Sequence, residues 1–138
     1  MPTISPEATT ISFTCVTIDA AHPPTLADFY SRLLGWQIHH SDDDYAMIGD
    51  GRTTLCFGAV DRHTPARWPD DPDHPKRVHF DLTVDDLAAA TERALELGAT
   101  VPEFQPGATP EWEGHQPWVV ILDPEGTPIC LNPQSPAQ

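Results

Sequence analysis

The sequence predicts an α+β fold made of two copies of a strand–helix–strand unit, and three observations carry that prediction. Residues 78–84 alternate, with Val78, Phe80, Leu82 and Val84 on one face of a strand and His79, Asp81 and Thr83 on the other. Asp85-Asp86 then opens an apolar run from Leu87 to Leu97 that stops at Gly98, the pattern of a capped helix with a glycine end. The same pattern stands earlier, where residues 11–18 lead into a run from Leu26 to Leu34 that stops at Gly35. Placing Asp19 on Asp86 is an offset of 67, which sets Phe13 on Phe80 and Ser12 on His79; Cys56 and Cys130, 74 apart, then hold equivalent places on short last strands.

Taken in order, residues 1–10 form a lead rich in Pro and Thr that is expected to fray. Residues 11–18 are the first strand, with Phe13, Cys15 and Thr17 on one face and Ser12, Thr14, Val16 and Ile18 on the other. Thr25 is placed to cap the first helix, whose Leu26, Phe29, Tyr30, Leu33 and Leu34 make an apolar stripe at helical spacing. Residues 36–40, 45–48 and 53–58 read as three short strands, separated by Ser41-Asp42-Asp43-Asp44 and by Gly49-Asp50-Gly51. The three aspartates lack the spaced ligands and closing Glu of a calcium loop, so a solvated turn is expected. Residues 59–76 are a proline-rich link, because each proline removes a donor and biases its predecessor to extended geometry. His63 and His74 in it read as surface histidines, and Trp68 as a side chain that folds over a pocket mouth or packs at a dimer interface. After the second helix, residues 100–104 are strand-like, residues 105–117 form a loop carrying Trp112, Glu113, His115 and Gln116, and residues 118–122 are a strand. Asp123-Pro124-Glu125-Gly126 is a turn in which Pro presets φ and Gly accepts a positive one. Residues 129–131 are the last strand, and the tail from Asn132 reads as a loose end.

The chain has 138 residues, enough for one domain with a real core; it is expected to span 11–133, as a first module at 11–58, a linker at 59–76 and a second module at 77–133. Seven basic residues against 21 acidic ones give a net charge of -14, which argues against nucleic acid or an anionic membrane as partner, since both need Lys and Arg clusters. No apolar run approaches the ~20 residues of a membrane span. The N-terminus lacks the pattern of a signal peptide, so a cytoplasmic location is expected. Three cysteines without CxxC spacing do not make a disulfide framework.

Phe29-Tyr30 with Leu34-Gly35-Trp36, then the stretch from Val78 to Leu87, then Asp123-Pro124-Glu125-Gly126 before the last strand stand in an order that resembles the vicinal oxygen chelate superfamily. That is the group of glyoxalase I, extradiol dioxygenases and the bleomycin and fosfomycin resistance proteins. The resemblance implies two βαβββ modules forming a curved mixed sheet, a cupped site and a homodimer. In the metal-dependent members each module offers one ligand from its first strand and one from its last. Carried over by register, those places are Ser12, Cys56, His79 and Cys130, and only His79 is the ligand type the resemblance implies. Thiolates do not suit an oxygen-rich nickel, magnesium or manganese shell. Cys56, His79 and Cys130 could form a zinc set with an open position, or the cysteines could act as small apolar side chains; the expectation is that no cofactor is bound.

A cup formed by the two modules would have Ser12, Thr14, Cys56, His79, Asp81 and Cys130 on its floor, and Tyr45, Trp68, Trp112 and Trp118 at its rim. His79 beside Asp81 is a candidate general base. Three function classes follow: a metal-free protein that binds a cationic or aromatic small molecule, a metal-dependent lyase or dioxygenase, and a metal-free enzyme using His79. The degenerate ligand places favour the first.

Overall fold

The computed structural model describes residues 9–112 and 117–134. Most of the lead, the positions Glu113, His115 and Gln116, and the end of the tail lie outside the described residues. The first module runs β1 (Val16–Ala20), α1 (Pro23–Leu34), β2 (Gln37–Ser41), β3 (Tyr45–Gly49) and β4 (Thr54–Ala59). Its sheet has the order β1-β4-β3-β2, with β1 parallel to β4 and the other pairs antiparallel. The second module runs β5 (Phe80–Val84), α2 (Leu87–Leu97), two 3-10 turns (Pro106–Ala108 and Pro110–Trp112), β6 (Val119–Leu122) and β7 (Pro128–Pro133). Its sheet has the order β5-β7-β6, with β5 parallel to β7. The α+β class and the two repeated modules are therefore as expected, with the mixed sheet hydrogen-bonded in two parts. No helix among the described residues is long and apolar enough to cross a membrane.

Several local expectations are corrected. The first strand begins at Val16, so residues 11–15 precede it as extended chain. The first helix starts at Pro23 rather than after Thr25. Two prolines there have φ already set for a helix and no N–H to leave unpaired. The second helix is capped as predicted: the Asp86 side chain accepts from Ala89 N, and Gly98 closes it at φ 115, a conformation side-chain-bearing residues resist. The strand expected at 100–104 is reduced to one bridge between Thr100 and Leu122. Pro102 cannot donate to a ladder, and the Gln105 side chain takes over the pairing: its Oε1 accepts from Val120 N at 2.8 Å and its Nε2 donates to Val120 O at 2.8 Å. The tail is also more ordered than expected at its start, since Asn132 and Pro133 belong to β7. Asp42 uses its carboxylate on the backbone N–H groups of Asp44 and Tyr45, at 2.8 and 2.9 Å, which makes the aspartate run a turn.

The core lies between the sheets and their helices, and α1 joins the modules. Leu26, Phe29 and Tyr30 of α1 are fully buried, as are Ile48 and Phe57 of the first sheet and Ile121, Ile129 and Leu131 of the second. The Tyr30 ring stacks on Phe57 at 5.5 Å and meets Phe80 edge-on at 5.3 Å, so one side chain bridges both modules. Its hydroxyl donates to Asp123 Oδ2 at 2.7 Å. Glu125, two residues further along the same turn, accepts from Ala21 N and His22 N at 2.7 and 2.8 Å, at the start of α1. That helix has no side-chain cap of its own, so an anion from the other module occupies its positive end.

Candidate functional site

Alternation along β5 turns Phe80, Leu82 and Val84 into the core and leaves His79 and Asp81 on the opposite face. Asp81 is paired in register with Cys130 of the parallel neighbour β7. Three donor atoms converge there: one each from His79, Asp81 and Cys130, all within 4.8 Å of one another. His79 Nε2 lies 3.2 Å from Asp81 Oδ2, and Asn132 Nδ2 donates to Asp81 Oδ1 at 3.3 Å and to Cys130 O at 3.2 Å. Burial pushes the Cys130 thiol up, with the Asp81 charge and a hydrogen bond to Asp81 adding to it. Asn132 stands among Pro, Gln and Ser residues that hide it in a tail-like pattern; its place two positions after Cys130 on one strand is the signal that marks it.

A cavity of about 440 Å³ opens on this face, lined by Trp68, Arg77, His79, Trp118 and Cys130 among others. Trp68 closes one side of it and is held there, its Nε1 donating to Phe104 O at 2.9 Å. Trp118 is braced by Trp112, which meets it edge-on at 4.7 Å. A second cavity of about 370 Å³ lies between the modules on the helix side, where Thr14 and Phe13 meet Tyr30, Trp36 and Phe80.

The first module contributes differently from what its sequence suggests. Thr17 is opposite Cys56 across β1 and β4, just as Asp81 is opposite Cys130 across β5 and β7. Thr17 and Asp81 are therefore equivalent, 64 residues apart, and the residue equivalent to His79 is Cys15, not Ser12. The Cys15 and Cys56 sulfurs lie 3.6 Å apart. Cys56 is buried, and burial together with its thiol neighbour raises its pKa. Ser12 and Thr14 are exposed ahead of β1, Thr14 lining the other cavity. Tyr45 stacks on His40 at 4.2 Å, and it, Ser12 and Trp112 line neither cavity.

By this register the four family ligand places hold Cys15, Cys56, His79 and Cys130. Among the described residues the only cluster of three or more His, Cys, Asp or Glu donors is His79, Asp81 and Cys130, and neither cysteine of the first module belongs to it. Three thiols and one imidazole do not fit an octahedral oxygen-rich centre.

A family model described as a glyoxalase-like domain matches residues 15–132. No curated protein matches the sequence. Among solved structures, the chain is similar to a glyoxalase/bleomycin resistance protein/dioxygenase family enzyme from Burkholderia phytofirmans PsJN, with 16% identity, 86% of this chain and 94% of that chain covered, and a TM-score of 0.61. It is also similar to a fosfomycin resistance protein from Listeria monocytogenes, with 12% identity, 92% and 96% covered, and a TM-score of 0.63. A bleomycin-binding protein solved in complex with bleomycin gives 22% identity, 91% and 100% covered, and a TM-score of 0.53. At such identities these likenesses speak for the fold.

Proposed function

Since the chain belongs to the glyoxalase-like domain family, within the vicinal oxygen chelate superfamily, we propose that it binds a small organic molecule on the concave face of its second module, without a metal. The observation that supports this is the cavity of about 440 Å³ lined by Trp68 and Trp118 together with His79 and Cys130. Its size falls within the ~300–1,000 Å³ typical of small-molecule sites, and its composition, aromatic walls with few polar groups, is typical as well. A thermal-shift screen of small organic molecules tests it. Hits are expected to stabilise the wild type and to lose their effect in Trp118→Ala; a screen whose hits act equally on that variant would count against this site.

We also propose that the protein acts as a homodimer. β1 and β5 are edge strands, with Val16 and Val78 exposed at or beside them and Ile11 and Phe13 exposed ahead of β1. Edges of this kind are ordinarily covered by another strand or by a partner. One observation favours a second reading, zinc held by His79, Asp81 and Cys130, whose nitrogen, oxygen and sulfur donors would leave a fourth position open. Metal analysis after gel filtration separates the two readings.

A further inference from the structure

The proposed binding cavity also carries a charge pattern at odds with the rest of the molecule. The chain has only seven Lys and Arg residues against 21 acidic ones, yet two of the seven, Lys76 and Arg77, line this one cavity beside His79. Lys76 is already engaged: its Nζ donates to Asp70 Oδ1 at 2.9 Å and to Pro69 O, and stands 5.4 Å from the centre of the Trp68 ring. Arg77 has no ion-pair or hydrogen-bond partner among the described residues and is exposed. Asp81, the carboxylate that pairs with the cavity-lining His79, is taken up by His79, Asn132 and Cys130.

We infer that the ligand is an aromatic carboxylate, its ring lodged between Trp68 and Trp118 and its carboxylate held by Arg77. This rests on the small-molecule reading above and names the ligand class. An unpaired guanidinium presents a planar fork of N–H donors that matches a carboxylate with two parallel hydrogen bonds. Indole walls offer flat apolar faces that favour a planar ring over a flexible chain. A cationic ligand, which the net charge of -14 would favour at long range, would meet Lys76 and Arg77 at the site itself.

The test is a titration of the intrinsic tryptophan fluorescence with benzoate and with benzamide, its neutral analogue, in the wild type, Arg77→Gln and Arg93→Gln. Benzoate is expected to bind about tenfold more tightly than benzamide to the wild type, and Arg77→Gln to remove that preference while leaving benzamide binding in place. Arg93→Gln, on α2 and paired with Glu96, is expected to behave as wild type. Equal binding of the two probes, or a preference that survives Arg77→Gln, would overturn the anion inference and leave small-molecule binding standing. Absence of both responses at about 10 mM, far above a weak Kd of ~1 mM, would overturn the inference; the small-molecule reading falls separately, only if the wider screen also yields no hit sensitive to Trp118→Ala.

Discussion

Tyr30 and the cysteines show how much one side chain can decide. Tyr30 is the contact on which both modules close, and its hydroxyl is a donor to a buried carboxylate. Burial, then the Asp123 charge and the hydrogen bond to it, raise its pKa well above the ordinary value of 10.0. A raised folded-state pKa means that this stabilisation is intact below the unfolded value and is lost as pH rises through the folded one. Tyr30→Phe is expected to cost about 1.5–3 kcal/mol in urea denaturation at neutral pH, the worth of a hydrogen bond to a charged group. It should also weaken the fall in stability above pH ~10. A variant as alkali-sensitive as wild type would sink the assignment. The thiols make a kinetic prediction. With their pKa values raised above 9.0, Cys56 and Cys130 hold less thiolate at a given pH than an ordinary cysteine. Alkylation at pH 8 is expected to modify buried Cys56 last, after the half-buried Cys15 and Cys130, which mass spectrometry of timed samples can read.

At the scale of elements, the two helices start by different means. Asp86 caps α2 from within its own module, and Asp86→Ala is expected to cost about 1 kcal/mol, the usual worth of an N-cap. α1 depends on Glu125 from the far module, whose carboxylate takes two backbone N–H groups and lies 3.4 Å from His63 of the linker. Glu125→Ala removes two charge-assisted hydrogen bonds at once and loosens the contact between modules. Its expected cost is about 2–3 kcal/mol. Chemical denaturation of the two variants side by side would show the ranking, and an equal loss in both would mean that water replaces Glu125 without penalty. Helix α1 is thus an interface device as much as a core element.

At the scale of the molecule, β1 and β5 each stand at the edge of a sheet, and such edges are ordinarily covered by another strand or by a partner. Light scattering at micromolar concentration is expected to give a particle of twice the 15.2 kDa chain mass, and the monomer mass would count against the dimer. Protein purified without chelator or nickel resin is expected to keep no stoichiometric metal through gel filtration, and His79→Ala to leave the melting temperature within a degree or two of wild type, as surface changes do. Near-stoichiometric zinc, lost with thermal stability in His79→Ala, would move the proposal to the zinc reading.

The repeat, both helices with their glycine ends and six of the seven strands were legible in the sequence close to their places, because alternation and helical spacing are local consequences of burying one face. The stretch 78–84 also marked the His79–Asp81 pair, since residues two apart on a strand share a face whatever the tertiary structure. Matching the two modules was beyond it. An offset of 67 placed Ser12 on His79, whereas the pairing of β1 with β4 gives 64 and places Cys15 there. The difference is three residues, and on a strand any odd slip carries every side chain to the other face, which is why Cys15 and Thr17, and not Ser12 and Thr14, stand beside Cys56. Only long-range pairing sets that register, and only packing decided that Gln105 would replace a strand and that Trp68, from the proline-rich link, would wall the cavity. Local pattern determined which residues could share a face; tertiary contact, made between residues far apart in the chain, determined which faces meet.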